Sequence, residues 1–237
     1  MLRTATAIFF LFLCQMNYAQ FRMNDTLFFL REKSPEYFHQ IFVDTNPSSS
    51  YFNLVARFEF NEFNQETYQR SLNYLKANRL SLKKLSYADM PMAWTQLQTY
   101  KGKLYVNSPA DFYFHNKVKM TDSVLMDWGG EGPEAQYIQS FQKLDAFTYV
   151  LVLRSESYTK RELTIRIIDQ EKGIAIFRDK RTAAWAKNES IYYYPMVDIR
   201  KMRQTPLLVN TCDYQKQSEL DFDQVDYRVM FDTFRKQ

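Results

Sequence analysis

Apolar and polar residues alternate with a period of two over several segments of this chain. The alternation from Phe112 to Met120 predicts a half-buried strand. It recurs over residues 162–167 and resumes at 174–177 after the turn-forming segment Asp169–Gly173, which predicts a hairpin. Further strands are predicted over Ser123–Trp128, Phe147–Leu153, Ile191–Ile199, Leu207–Cys212 and Val225–Phe231, and the continuously apolar Phe147–Leu153 is expected to be buried on both faces.

Two segments in the first half of the chain have helical patterns. The sequence Ser-Pro-Glu at residues 34–36 supplies a cap residue, a first-turn proline and an acid, which predicts a short helix over Pro35–Phe42. Apolar residues at helical spacing, among them Tyr68 and Leu72, predict a helix of about four turns over Asn64–Asn78.

These elements predict a mainly β protein with one helix of about four turns near 64–78 and a short N-terminal helix. The strands follow one another with short connections, so we expect an antiparallel meander that closes into a barrel-like or strongly curled sheet. A β-sandwich is the alternative. Residues 20–237 are predicted to form a single β-rich domain, with a mixed helical part to about residue 100 and the meander from about 101.

The outline resembles a lipocalin-like barrel in architecture alone. The GxW signature of that family's first strand is absent, and the mature chain has too few cysteines for the family's usual disulfide. Architecture of this kind is a weak basis for inferring ligand binding.

The first nineteen residues have the composition of a secretory signal peptide. Arg3 is the positive group, Ala7–Cys14 is the apolar core, and Ala19 offers a small residue for cleavage. A transmembrane anchor is the competing interpretation, but the uncharged run Thr4–Gln20 is 17 residues, shorter than the roughly 20 that a spanning helix needs. We therefore expect a cleaved signal at 1–19, no stable transmembrane anchor after cleavage, and a periplasmic or secreted protein.

Cleavage leaves Cys212 as the one cysteine of the mature chain, so no intrachain disulfide is expected and burial must stabilise the domain. The composition suits a globular core, with 46% hydrophobic residues, twenty Phe and seventeen Tyr. The formal net charge of +4 is too small to indicate nucleic-acid binding. No nucleic-acid partner is therefore predicted.

Motifs for catalysis, cofactors and metals are scarce. His39 and His115 are far apart in sequence and form no HExxH or HxH motif, so no zinc site is predicted. His115 falls on the polar side of its predicted strand and is expected either to face solvent or to make an ordinary hydrogen bond. A GxSxG nucleophile motif is absent. We predict no catalytic residue, no cofactor and no metal ligand.

The segment 127–134 is the most unusual local sequence, because it holds three of the five glycines. A functional interpretation makes it a loop at a cavity mouth, with Trp128 as an aromatic lid. In a structural interpretation it is a tight connection with solvated acids. Phosphate binding is disfavoured by the acids and by the absence of lysine, and the spacing does not match an EF-hand for calcium. The candidate ligand-binding residues are Asp127, Trp128, Glu131, Glu134 and, from a tyrosine triplet whose members must alternate faces, Tyr193.

Two functional hypotheses follow from these observations. The first is an exported, non-catalytic binding or envelope-associated protein that holds a small apolar or amphipathic ligand, or an envelope component, in an aromatic-lined cavity. The alternative is a carboxylate-dependent hydrolase of an envelope polymer or glycan. The hydrolase requires that acids such as Asp127, Glu131 and Glu134 converge in a cleft with Trp128. An outer-membrane barrel is a third hypothesis, although charges interrupt both faces of the predicted strands.

Overall fold

The computed structural model describes residues 21–23, 26–36, 38–87, 89–186, 188–213 and 220–233. The predicted signal segment 1–19 lies outside these residues. The helices are α1 (Tyr51–Ala56), α2 (Glu62–Ala77) and α3 (Tyr227–Thr233), and short 3-10 helices occur at Phe112–Phe114 and Met202–Gln204. The strands are β1 (Phe21–Met23), β2 (Thr26–Lys33), β3 (Phe38–Asp44), β4 (Ala93–Tyr100), β5 (Lys103–Ser108), β6 (Lys117–Met120), β7 (Val124–Gly129), β8 (Gly132–Lys143), β9 (Thr148–Arg154), β10 (Tyr158–Asp169), β11 (Ile174–Ala183), β12 (Glu189–Asp198) and β13 (Leu207–Cys212).

Eight antiparallel strands close into a barrel. Strands β6 to β12 follow one another as a meander, and β4 completes the ring because it pairs with both β12 and β6. Thr95 of β4, for example, lies opposite Val197 of β12 on one side and Lys117 of β6 on the other. The prediction of a mainly β protein with a closed meander is confirmed, and the chain adopts the barrel rather than the alternative sandwich.

A second group of strands extends the sheet beyond the barrel. The order β1-β2-β3-β13-β5 continues onto the second half of β4, and β13 and β5 are parallel. Helix α1 covers one face of this extension, where Phe52 and Val55 pack in a cluster with Leu97, Val106 and Leu207. Strand β4 therefore belongs to the barrel over its first half and to the outer sheet over its second half.

The barrel interior changes from apolar to polar along its length. Inward positions in the apolar part include Leu125, Ile138, Leu163 and Phe177, which are at most 3% exposed. Two residues away from each of these, toward the same end of the barrel, the inward residue is polar in all four strands. These polar residues are Asp127, Gln136, Arg161 and Asp179. Because the side-chain period of a strand is two, each polar residue points into the same interior as its apolar neighbour.

Helix α2 confirms the helix predicted at 64–78 and runs for 16 residues. Its N-terminus is capped by Asn61, whose side chain accepts a hydrogen bond from the Asn64 backbone N–H at 2.8 Å. The buried Leu75 packs against β7 and β8, and the Ser71 hydroxyl accepts a hydrogen bond from the Ala135 N–H at 2.8 Å. The helix is thereby fixed to the outer wall beside the polar end of the barrel.

Two predicted elements are wrong. Residues 38–44 form strand β3 rather than a helix over 35–42, because His39, Ile41 and Val43 are buried with a period of two and this overrides the local cap signal. Residues 227–233 form helix α3 rather than the strand predicted at 225–231, and Asp226 accepts a hydrogen bond from the Arg228 N–H at the helix start.

The region 112–120 is also corrected. Its first part is a 3-10 helix, and the strand starts only at Lys117. His115 does not face solvent but takes the hydrogen-bonded alternative: it is 5% exposed, and its Nε2 lies 3.2 Å from the Thr95 hydroxyl. Burial lowers the pKa of His115 to about 3, with a smaller effect from nearby Lys117. This histidine is therefore neutral across the physiological range.

The predicted hairpin around Asp169–Gly173 is confirmed by strands β10 and β11. Strand β9 occupies the predicted Phe147–Leu153 segment, but its faces differ: Tyr149, Leu151 and Leu153 are buried, whereas Val150 and Val152 are half-buried. Strands β1, β2, β4 and β8 were not predicted from the sequence. The division of the chain into a leader and one domain stays a prediction.

Candidate functional site

A cavity of about 620 Å³ opens at the polar end of the barrel. This volume lies in the usual range of small-molecule sites, which is about 300–1,000 Å³. The turns β7–β8 and β9–β10 and the side of α2 surround its mouth. Its walls include Thr67, Arg70, Asp127, Glu131, Glu134, Glu156, Tyr158, Arg161, Asp179, Arg181, Tyr192, Tyr193 and Tyr194.

Arg161 lies at the boundary between the apolar interior and the cavity. Its guanidinium donates to both carboxylate oxygens of Asp179, from Nε at 3.0 Å and from Nη2 at 2.8 Å. Its Nη1 donates to Asp127 and to Gln136 Oε1, the latter at 2.9 Å. Arg161 and Asp179 are each 1% exposed. Each of the three guanidinium nitrogens therefore has an acceptor, which is the condition under which a buried charge is tolerated in an interior.

Asp127 and Glu134 face each other across strands β7 and β8. Both accept a hydrogen bond from the same Gln136 amide nitrogen, at 3.3 Å and 3.2 Å. Glu134 also accepts from the Ser157 backbone N–H at 3.0 Å. The pair is thus close together, and each carboxylate is held by the barrel wall.

Tyrosine and arginine side chains form the opposite wall. Tyr194 donates to Asp179 at 3.2 Å, and burial, followed by the Asp179 charge, raises the pKa of Tyr194 well above its usual range. The Arg181 guanidinium lies 4.4 Å from the centre of the Tyr192 ring and 5.3 Å from that of Tyr158. These rings therefore already accept a cation.

The glycine-rich turn has structural roles. Gly132 has a φ of +87°, which favours glycine. A Cβ on Gly130 would lie 2.5 Å from Tyr113, so the 3-10 helix approaches the turn closely. Tyr113 donates to Glu131 at 2.6 Å and holds that carboxylate at the mouth. The turn shapes the rim and presents one acid there.

Four of the five predicted ligand residues line the cavity, namely Asp127, Glu131, Glu134 and Tyr193. Trp128 does not line it. Its ring packs on the outer face of the barrel against Phe58 and Phe60, with centroid distances of 5.5 Å and 5.3 Å.

Tyr193 borders the cavity, but its ring packs against Phe231 of α3 at 5.5 Å. The triplet alternates as expected, and Tyr192 and Tyr194 are the members on the inward face. Sequence reasoning missed Tyr194, Arg161, Asp179 and Arg181. For Arg161, Asp179 and Arg181, the sequence signal was a charged residue at a strand position that has an apolar neighbour two residues away.

A second buried cation lies outside the barrel. Lys117 is 5% exposed, donates to the Arg57 carbonyl oxygen at 2.5 Å, and lies 5.2 Å and 5.5 Å from the ring centres of Phe58 and Trp128. Burial lowers the pKa of Lys117 to about 8, with a smaller effect from Arg57. This arrangement fixes the connection between α1 and α2 to the barrel wall.

Within the described ranges, no group of three or more His, Cys, Asp or Glu side chains is arranged to hold a metal ion. No helix in this part of the chain is both long and apolar enough to cross a membrane. Cys212 is a free, half-buried thiol. Neither histidine lines the cavity.

Comparison with known proteins gives no match to a family model, a curated protein or a solved structure. Arguments about function therefore depend on the geometry of the cavity.

Proposed function

We propose that this chain is an exported, non-catalytic binding protein that holds a small amphipathic ligand at the mouth of its barrel. The observation that carries the proposal is the cavity of about 620 Å³ above a tightly packed apolar interior. Convergent polar groups on rigid strands and a wall of tyrosines are typical of ligand sites. Because the apolar interior is already filled, the polar part of the ligand occupies the cavity.

The state of the carboxylates supports binding rather than catalysis. Asp127 is paired with Arg161, and Glu134 accepts from Ser157 and Gln136. Glycoside hydrolysis requires one carboxyl group that gives a proton and another that attacks or activates water. Both groups are instead engaged by the barrel wall, and the aromatic platform expected at Trp128 faces away.

The hydrolase remains a second candidate because Asp127 and Glu134 lie within hydrogen-bond distance of one amide nitrogen. It predicts release of reducing ends from a glycan or envelope polymer by the purified protein. That release would have to be lost in Asp127→Asn while the variant keeps its fold. Release of reducing ends by the wild type, but not by a folded Asp127→Asn variant, would favour the hydrolase over the binding protein.

Binding is tested with a neutral amphipathic dye, N-phenyl-1-naphthylamine, titrated into the mature protein. Tyr192 and Ile191 are neighbours on β12 with nearly equal exposure, 46% and 47%, but only Tyr192 lines the cavity. Tyr192→Ala should weaken dye binding about two- to tenfold, the usual worth of an aromatic contact. Ile191→Ala should leave it unchanged. Equal effects of the two substitutions would contradict binding at this cavity.

Export is a separate part of the proposal and rests on the sequence of residues 1–19. Expression of the full chain in a bacterium with an export system should give a mature protein that begins at or within two residues of Gln20. The mass and N-terminal sequence of the protein in the exported fraction provide the measurement. A protein retained in the cytosol with Met1 intact would contradict export.

A further inference from the structure

The charges around the cavity do not balance. Five carboxylates and three guanidinium groups line it, which leaves a formal charge of −2. Arg161 and Arg181 offset Asp127 and Asp179, with which they form ion pairs, and the Arg181–Asp179 contact is 3.8 Å. The excess negative charge therefore belongs to the rim.

Three acids and one base form that rim. Glu131 and Glu156 lie in the β7–β8 and β9–β10 turns, Glu134 is at the start of β8, and Arg70 is on α2. Glu156 has no hydrogen bond or ion pair with the rest of the described chain. The remaining lone pairs of these carboxylates are available to a donor that enters the cavity.

The net negative charge of the rim favours some ligands over others. A partly enclosed cavity with low-dielectric walls strengthens the interaction of rim charges with a bound ion, relative to water. An anionic head group would meet net repulsion, whereas a cation would be attracted. The cation on the tyrosine wall, Arg181, contacts the rings of Tyr158 and Tyr192 and is offset by Asp179 at 3.8 Å, so it does not cancel the charge of the rim acids.

We propose that the ligand held at the barrel mouth carries a cationic head group and is an amphipathic amine. The inference rests on the proposed binding function and adds the chemical class of the ligand. Its ammonium group donates to the rim carboxylates, with Glu134 and Glu156 as the main acceptors, and its apolar part contacts the exposed ring of Tyr192.

Three probes with one apolar tail and different head groups test the proposal. Octylammonium, octyl glucoside and octanoate are titrated calorimetrically into the mature protein, each below the concentration at which it forms micelles. Octylammonium should bind at least tenfold more tightly than octanoate and more tightly than octyl glucoside. Its affinity should fall as salt rises from about 20 to 300 mM, because salt screens exposed charges.

A pair of glutamates that flank β10 supplies a matched control. Glu156 precedes the strand at the cavity end, and Glu171 follows it at the other end; both are exposed. The length of the strand separates them by about 40 Å, several Debye lengths at 0.15 M salt. Glu156→Gln should weaken octylammonium binding about two- to fivefold, as expected for an exposed ion pair. Glu171→Gln should have no effect.

A substitution at the more buried acid gives a stronger response. Glu134→Gln retains an amide oxygen for the Ser157 N–H and should weaken octylammonium binding about tenfold, with little change for octyl glucoside. Tighter binding of octanoate or octyl glucoside than of octylammonium would overturn the cationic ligand and leave the binding function standing. Equal effects of Glu156→Gln and Glu171→Gln would also overturn it. No binding of any probe, including the neutral dye, would instead refute the binding function.

Discussion

Replacement of Arg161 by methionine should destabilise the protein strongly. Arg161 donates four hydrogen bonds, two of them to Asp179 and the others to Asp127 and Gln136. Methionine fills part of the same volume but leaves the carboxylate of Asp179 buried without its main counter-charge. Removal of one partner from a buried ion pair typically costs about 3–5 kcal/mol.

The neighbours of Asp179 place the expected cost at the lower end of that range. The Tyr194 hydroxyl remains 3.2 Å from the carboxylate, and Arg181 remains 3.8 Å away. We therefore expect a loss of about 3 kcal/mol in the free energy of unfolding. Addition of Asp179→Asn to Arg161→Met should recover about 1 kcal/mol or more, because the amide carries no charge into the interior.

Urea unfolding monitored by tryptophan fluorescence and circular dichroism measures these changes. Arg178→Met is the matched control, since Arg178 lies next to Asp179 on β11 and pairs with Glu162 at 2.9 Å on the outer face. The control should cost at most about 1 kcal/mol. If Arg161→Met costs no more than Arg178→Met, or if Asp179→Asn worsens its effect, the reasoning about the buried network is refuted.

Three further predictions concern the barrel wall. Gly130→Ala should lower the free energy of unfolding by about 1–3 kcal/mol, because the added Cβ has no room beside Tyr113. Gly129→Ala is the control and should be near neutral in the same urea assay, because its Cβ would meet its nearest atom at 3.6 Å. Phe231→Ala should lower the free energy of unfolding by about 3 kcal/mol, since the ring is 5% exposed. Val229→Ala, at a site that is 63% exposed, should lower it by less than about 0.5 kcal/mol, and equal costs would contradict the packing of α3. The pKa of Lys117 is about 8 in the folded protein and 10.5 as its ordinary value, so the unfolded state binds more protons between these pH values and stability should rise with pH across this window. Lys117→Met should remove that rise, and a difference between wild type and variant that stays constant from pH 7 to 10.5 would contradict it.

Local patterns in the sequence predicted the elements whose burial is regular. The hairpin of β10 and β11 and the helix α2 were predicted correctly, because each has an uninterrupted apolar period and a clear turn or cap signal. The helix predicted over 35–42 was wrong because its local signal and its burial pattern disagree. Its Ser-Pro-Glu start is a genuine local helix signal, but pairing with β2 and β13 buries alternate residues of β3 and outweighs it.

The candidate site was predictable only in part. Glycine and acid enrichment in one short segment identified the β7–β8 turn, and three of its acids line the cavity. Arg161 and Asp179 are 18 residues apart and meet through cross-strand register. Gln136 and Asp127 reach them only because the barrel closes. Pairing of this kind depends on register between strands, which a single sequence does not specify.

The central claim is that the polar end of the barrel holds a small amphipathic molecule. Native mass spectrometry of the protein purified from the cells that make it tests this most directly. The account predicts a reproducible extra mass that is lost on denaturation, is reduced in Tyr192→Ala and is retained in Ile191→Ala. A protein that is bare in this measurement, and that also binds neither the neutral dye nor any octyl probe, would contradict it.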